Sequence, residues 1–251
     1  MHRFHLPPDQ SRGDTLTLTE GEAHHAARVL RIQIGEVVTV LDGAGGELRC
    51  EVVAVGKRAV SLRVLERTTH SPPPFQITLL QAIPKGKLIE SIIEKATELG
   101  VSRIVPLVTE RVATRLDGAA ANEKCEKWQQ VAVEAMKQCG APWLPVVEVP
   151  VSLKVYLQRQ ISFDLAMVGA LQGEARHPRD YFRAHAAITR QRAEQIAIWI
   201  GPEGDLTRAE LDLILATGAK PITLGPLVLR VETAAIYCLS FLNYELRSPR
   251  D

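Results

Sequence analysis

Three groups of residues in this chain have the types and spacing to do chemistry. Arg230 and Glu232 stand two apart in Leu224-Gly225-Pro226-Leu227-Val228-Leu229-Arg230-Val231-Glu232-Thr233-Ala234. A guanidinium can stabilise developing negative charge, and a carboxylate can accept a proton or orient the guanidinium. The loop before them is apolar, which is odd between a strand and a helix, and it suits an adenine pocket. The plainer reading gives Glu232 to a helix dipole and Arg230 to a salt bridge. Ile200-Gly201-Pro202-Glu203-Gly204 follows a buried apolar run. Its glycines let a backbone approach a ligand closely, at the strand end where open α/β sheets bind. It is equally a tight turn before a capped helix. His24, Arg28 and Arg31 recur at i, i+4 and i+7. On a helix they share one face with Val29 and Leu30 turned inward, which makes either a phosphate-contacting ridge or a solvated face.

The elements that must hold these groups fall on two sides of Ser71-Pro72-Pro73-Pro74. Three successive prolines favour an extended linker. Before them, β-like runs at 15–19, 37–41, 48–55 and 59–65 alternate with turns, which predicts a small barrel interrupted by a helical patch at 21–31. After them the rhythm becomes strand–helix. Strands are expected at 75–83, 104–108, 146–149, 165–168, 195–200 and 221–224. Helices are expected at 88–99, from an Asn122 cap to 139, at 153–160, from the capping box Thr207-Arg208-Ala209-Glu210 to 217, and at about 232–246. That alternation predicts a mostly parallel sheet covered on both faces. Residues 172–194 are polar and poorly patterned. The last helix is apolar almost all round, so it is either sunk in the core or covered by a second subunit, and a homodimer is the preferred reading.

Composition narrows the function. The chain has 251 residues, 46% hydrophobic and 24% charged, ordinary for a globular protein. Its net charge of +1 is not that of a general polyanion binder, so any nucleic-acid contact must be a local patch. No apolar stretch is long enough to span a bilayer, and the first ten residues carry no signal-like apolar core. Cys50, Cys125, Cys139 and Cys238 form neither CxxC pairs nor zinc spacing, which suggests free thiols in a reducing cytoplasm. Adjacent His24 and His25 point to different faces, so no metal site is expected. The dinucleotide fingerprint, Walker A, HExxH and GxSxG are all missing.

Taken together, these segments resemble the RsmE family, the small-subunit ribosomal RNA uracil-N3 methyltransferases of the SPOUT superfamily. The resemblance is carried by His24-His25 with Arg28-Val29-Leu30-Arg31, Lys85-Gly86-Lys87, Lys95-Ala96-Thr97-Glu98-Leu99-Gly100-Val101, Glu110-Arg111, Trp128-Gln129, Gln138, Ile200 to Gly204, Leu224-Gly225 and Leu229 to Ala234. It implies an α/β fold: a PUA-like β-barrel over 1–71, which helps hold RNA, and a SPOUT domain with a trefoil knot over 72–251. It implies S-adenosylmethionine as methyl donor, held by Val168, Gly169, Leu171, Ile200, Gly201, Pro202, Glu203, Gly204, Leu224, Gly225, Leu227, Val228, Leu229, Thr233 and Ala234. It implies RNA contacts at His24, Arg28, Arg31, Lys85, Lys87 and Arg111, and a homodimer with its active site near the interface. Arg230 and Glu232 become the candidate catalytic pair, and the partner is small-subunit ribosomal RNA or the assembled subunit. The chain departs from the family at Asp205, where a second glycine is usual, and at Lys137 and Ala141, where glutamate and arginine are usual. The competing readings are a ribose 2′-O-methyltransferase and a non-catalytic RNA-binding or ribosome-assembly protein.

Overall fold

The computed structural model describes residues 1–111, 118–170 and 175–247. The chain divides into two compact units, Met1–Pro72 with Val133–Leu144, and Pro73–Ala132 with Pro145–Asp251. The proline run lies at this division, and a segment far beyond it in sequence belongs with the first unit.

The first unit is a five-stranded sheet of β1 (Arg3–His5), β2 (Thr15–Thr19), β3 (Val37–Leu41), β4 (Gly46–Val55) and β5 (Ala59–Thr69), in the order β1-β3-β4-β5-β2. β1 runs parallel to β3, and the other pairs are antiparallel. Period-2 patterning does the sorting. On β2, Leu16 and Leu18 are buried while the threonines between them face out. Register shifts between β4 and β5, at Arg49/Cys50 and Val52/Ala54, mark bulges that bend the ribbon over its core. The pairing path is open rather than a closed ring, with β1 and β2 at its ends. β1 itself was not expected from the sequence.

The helical patch also differs from expectation. It is a short α1 (Glu20–His24) followed by a π-helical segment, His25–Leu30, and Arg31 closes it in the left-handed conformation at φ 54°. Each π turn takes more residues than an α turn, so the α-helical phase is lost. Val29 is therefore 62% exposed instead of turned inward, while Leu30 packs on the core. Within this unit the Lys137 ammonium is buried between Glu22, at 2.7 Å, and Glu134, at 2.9 Å. Burial alone would lower its pKa, but the two carboxylates hold it above the ordinary lysine value. The lysine that replaces the family's usual glutamate thus has its own acidic partners here.

The second unit is built on β6 (Gln76–Ala82), β7 (Arg103–Val108), β8 (Val146–Val147), β9 (Val151–Ser152), β10 (Leu165–Gly169), β11 (Gln195–Ile200) and β12 (Lys220–Ile222). Its helices are α2 (Leu88–Glu98), the first part of α3 (Gly118–Cys139, whose residues from Val133 on belong to the first unit), α4 (Leu153–Leu157), α5 (Pro178–Thr189), α6 (Arg208–Ala216) and α7 (Val231–Arg247). The strands lie in the order β12-β10-β11-β6-β7-β8, with β9 also on β7, and every pair is parallel. A parallel sheet covered on both faces needs strands that are apolar throughout, and β6 and β11 are buried along all but their first residue.

The Thr207 capping box on α6 is formed, and the Glu210 carboxylate also accepts the Glu110 N–H at 2.8 Å. Asn122 is not a cap. The described part of α3 already begins at Gly118, which places Asn122 inside the helix. The 172–194 segment contains α5, whose Pro178 at the first position and His177 cap start it cleanly. All four cysteines are unpaired, and burial pushes the Cys50 and Cys238 thiols up to about 11 and about 12. Among the described residues no helix is long and apolar enough to cross a membrane.

Candidate active site

The carboxyl ends of β10, β11 and β12 converge on a cavity of about 800 Å³. Three loops form it. Gly169 and Ala170 leave β10, Ile200, Gly201, Pro202, Glu203 and Asp205 leave β11, and Thr223 to Arg230 leave β12. The strand order reverses here, since β11 lies between β10 and β6 although it follows both in sequence. Such a switch point is where open α/β sheets leave a crevice.

Each loop has a local reason for its path. Gly225 sits at φ +105°, which an L side chain rarely adopts. It lets the chain turn back from β12 toward α7. At Gly201 an added Cβ would lie 3.3 Å from Asp205 Oδ1 and from Leu206, tighter than ordinary contact, so a side chain there would press on the turn. Asp205 takes the left-handed conformation, φ 62°, and its Oδ1 accepts the Leu206 N–H at 2.8 Å. Aspartate is one of the few residues that tolerate this geometry, so the turn survives without the family's second glycine. The loop is held from two sides. Glu203 Oε1 accepts the Lys85 backbone N–H at 2.8 Å, and the Arg111 guanidinium donates to the Gly204 carbonyl and, at 3.5 Å, to that of Asp205.

Of the donor-site residues expected from the sequence, Gly169, Ile200, Gly201, Pro202, Glu203, Leu224, Gly225, Leu227, Val228, Leu229 and Ala234 line this one cavity. Val168 is fully buried in the core beneath it, and Gly204 and Thr233 lie beside the cavity rather than on its wall. Leu171 lies outside the described residues. Sequence reasoning missed Leu88, Ala175, Asp205, Thr223 and Val231, which also line it. Leu88 opens α2 directly after Lys87, a signal that was present in the sequence. Ala175 sits in the polar stretch and gave none.

Arg230 and Glu232 both line the cavity. Arg230 is exposed and immediately precedes α7, and its carbonyl accepts the Ala234 N–H at 2.8 Å. Glu232 is half-buried in the first turn. Among the described residues neither side chain makes an ion pair, so the expected alternative of an Arg230 salt bridge is not formed. His24, Arg28, Arg31, Lys85 and Lys87 are exposed, the first three on the first unit and the two lysines at the start of α2.

A cavity this size is ample for a nucleoside-sized ligand. Leu224, Leu227, Val228 and Leu229 offer an apolar wall for a purine, and the glycine turns offer open backbone to its polar groups. Its lining carries Arg230 and Glu232 without an ion-pair partner among the described residues, and Glu203 and Asp205, which are bonded to the backbone.

Two family models match the chain. One, described as an RNA methyltransferase domain, covers residues 71–243, and one described as an RNA methyltransferase PUA domain covers 18–65. The chain is 33% identical over 238 residues to ribosomal RNA small subunit methyltransferase E of Bacillus subtilis, spanning 92% of this chain and 90% of that one. It is 32% identical to the Aquifex aeolicus protein of the same name, over 96% and 99% of the two chains. Among solved structures it is similar to a Legionella pneumophila methyltransferase in complex with bound cofactor SAM, with TM-score 0.87, 32% identity and 97% of each chain covered. It is also similar to the Neisseria gonorrhoeae ribosomal RNA small subunit methyltransferase E bound to S-adenosyl methionine, with TM-score 0.85, 27% identity and 98% of each chain covered.

Proposed function

The chain belongs to the RNA methyltransferase family of ribosomal RNA small subunit methyltransferase E, and on that premise we propose that it methylates N3 of one uridine in small-subunit ribosomal RNA, with S-adenosylmethionine as donor. The observation that carries the reading is the cavity itself: most of the expected donor residues line one space, together with Arg230 and Glu232. When bound, the donor supplies an electrophilic methyl group on a sulfonium.

The chain's own residues have three tasks. The glycine turns at Gly201 and Gly225 and the apolar wall from Leu224 to Leu229 hold the donor and fix its orientation, which is the positioning contribution. Uracil N3 carries a proton at neutral pH and is a poor nucleophile, and Glu232 takes that proton. Arg230 holds the negative charge that then spreads over the uracil carbonyls. Because the N3 edge is used in base pairing, the target base must be unpaired or swung out to reach them.

Further parts of the reading rest on the family. The loops after β10, β11 and β12 form the trefoil knot of the SPOUT fold, and the strand order β12-β10-β11 is compatible with it. The functional form is a homodimer in the cytoplasm. The exposure of Leu227 (74%), Val228 (78%), Tyr237 (47%) and Tyr244 (73%) around the start and outer face of α7 supports a covered surface there. His24, Arg28, Arg31, Lys85 and Lys87 contact RNA.

The test is transfer of tritium from labelled S-adenosylmethionine to small-subunit RNA or subunits lacking the modification, followed by nucleoside analysis. Label in N3-methyluridine is expected. Label in a nucleotide that resists alkaline cleavage would move the reaction to a ribose 2′-hydroxyl. No label, with no donor binding by calorimetry, would leave an RNA-binding protein without this activity.

A further inference from the structure

The segment without a sequence pattern holds the most concentrated positive charge in the second unit. Across residues 172–194 stand Arg176, Arg179, Arg183, Arg190 and Arg192 against three acids, Glu174, Asp180 and Glu194, a local net charge of +2 in a chain whose total is +1. The arginines are ordered rather than scattered. Arg179, Arg183 and Arg190 recur at i, i+4 and i+11 along α5 and its C-terminal cap, which places them along one face.

The track begins at the active site. Ala175 lines the cavity. Arg176 pairs with Ile222 at the edge of the sheet, its N–H donating to the Pro221 carbonyl at 3.2 Å and its carbonyl accepting the Thr223 N–H at 3.1 Å. The Tyr181 hydroxyl fixes α5 to the same edge through the Pro221 carbonyl, at 3.1 Å. From there α5 runs for about 18 Å at 1.5 Å per residue.

Along it Arg179, Phe182, Arg183, His185 and Arg192 line a second cavity, of about 300 Å³. The acids facing it are few. Glu245 on α7 pairs with Arg179 at 3.3 Å, and Asp164 lies near enough to His185 to feel its charge. Arg192 donates to the Leu246 carbonyl at 2.8 Å. Arg176, Arg183 and Arg190 are exposed and make no ion pair among the described residues.

We propose that this face of α5 is a phosphate-contacting surface for the strand of substrate RNA that flanks the target nucleotide. The inference rests on the reading of the chain as an RNA methyltransferase and adds where the substrate strand lies. Arg183 and Arg190, unpaired and spread along α5, with Arg176 unpaired before its start, fit the repeated charges of a nucleic-acid backbone better than one compact anion, which would need them convergent. Arginines without partners can take phosphates without breaking existing pairs. Phe182, beside Arg183 in the cavity wall, adds an aromatic face of the kind on which unpaired bases stack.

The triple variant R176Q/R183Q/R190Q removes the three unpaired charges and touches no residue of the donor cavity wall. Affinity for a small-subunit RNA fragment is measured by titration at several salt concentrations, alongside donor binding by calorimetry. At about 0.7 per single-strand phosphate contact, the slope of log K against log salt flattens by about 2, and RNA affinity falls by roughly tenfold or more at physiological salt. Donor affinity and turnover at saturating RNA stay at the wild-type level. A variant that keeps the wild-type salt slope overturns the proposal, whatever reaction the wild type performs. So does a variant that binds and methylates naked RNA normally but fails on assembled subunits, because α5 would then face a ribosomal protein. A wild type that binds RNA with the steep slope but transfers no methyl group overturns the reaction assigned above and leaves the α5 surface standing.

Discussion

The two ends of the seven-stranded sheet treat charge in opposite ways. Toward the amino end Glu148 and Asp164 are both engaged. Glu148 sits between Arg103 and Arg159, each at 2.6 Å. Asp164 accepts the backbone N–H groups of Glu194 and Gln195 at 2.7 and 2.9 Å, joining the starts of β10 and β11. The Arg159 guanidinium also lies 5.3 Å from the centre of the Tyr156 ring. At the carboxyl end Glu203 and Arg111 brace the β11 loop, but Leu227 and Val228 stand exposed, and Arg230 and Glu232 line a cavity without an ion-pair partner among the described residues. A charge that is paired holds elements together. A charge left unpaired beside a cavity costs the fold something and is available to a substrate.

The contrast can be broken by mutation, starting where the effect is largest. Arg230→Lys keeps the charge but loses the planar fork. Turnover on small-subunit RNA should fall by about 10²-fold, the usual cost of losing one preorganised donor. The thermal midpoint should hold, because exposed substitutions are usually within about 0.5 kcal/mol. Near-normal turnover would mean that the unpaired state of Arg230 has no catalytic use. Glu148→Gln is the mirror experiment. It leaves two arginines short of a carboxylate and should cost about 1–2 kcal/mol of stability by urea titration, while turnover of the folded enzyme stays unchanged. Loss of activity in the folded variant would erase the distinction between the ends.

Arg111→Ala tests a residue that stands between the two categories. The sequence resemblance gives it to RNA, yet its guanidinium is engaged by the carbonyls of Gly204 and Asp205. If it braces the loop, donor affinity by calorimetry should weaken by about fivefold, near 1 kcal/mol, and RNA affinity should not change. The reverse split, donor affinity intact and RNA affinity reduced, would return Arg111 to the substrate.

How much of this was readable in the sequence depends on how local the cause was. The capping box on α6 and the apolar runs of β6 and β11 are written in neighbouring residues, and each was found within a residue or two. The donor loops were found too, but by resemblance. Nothing in the spacing of Gly201 and Gly225 says that two turns lying 24 positions apart share one cavity. The failures are non-local or conformational. Val29 was misplaced because the choice of π over α geometry in His25–Leu30 left no mark in the hydrophobic pattern. β1 is three residues long and exists because β3 is there to pair with it. α5 is amphipathic but polar overall, and Pro178 is its one buried residue, so the segment read as loop-like rather than as a packed helix. Its meaning lay in charge, and charge declares a face only once the helix has been placed.

The smallest expected effect lies at the amino end and has a pH signature. The Gln195 and Glu194 N–H groups hold the Asp164 carboxyl below the usual aspartate value, against a slight opposing push from burial. A folded-state pKa below the unfolded value of about 3.9 means that the ionised group favours the fold. That contribution is fully present above the unfolded value and is lost as pH falls through the lowered folded one. Asp164→Asn keeps an acceptor oxygen but no charge, so its stability should be slightly below wild type at neutral pH. Urea midpoints for the two proteins should therefore converge as the pH is lowered below about 4. A gap of equal size at pH 7 and in acid would show that the join between β10 and β11 depends on the shape of the side chain and not on its charge. The amino end would then be held by packing, and the contrast with Arg230 and Glu232 would rest on Glu148 alone.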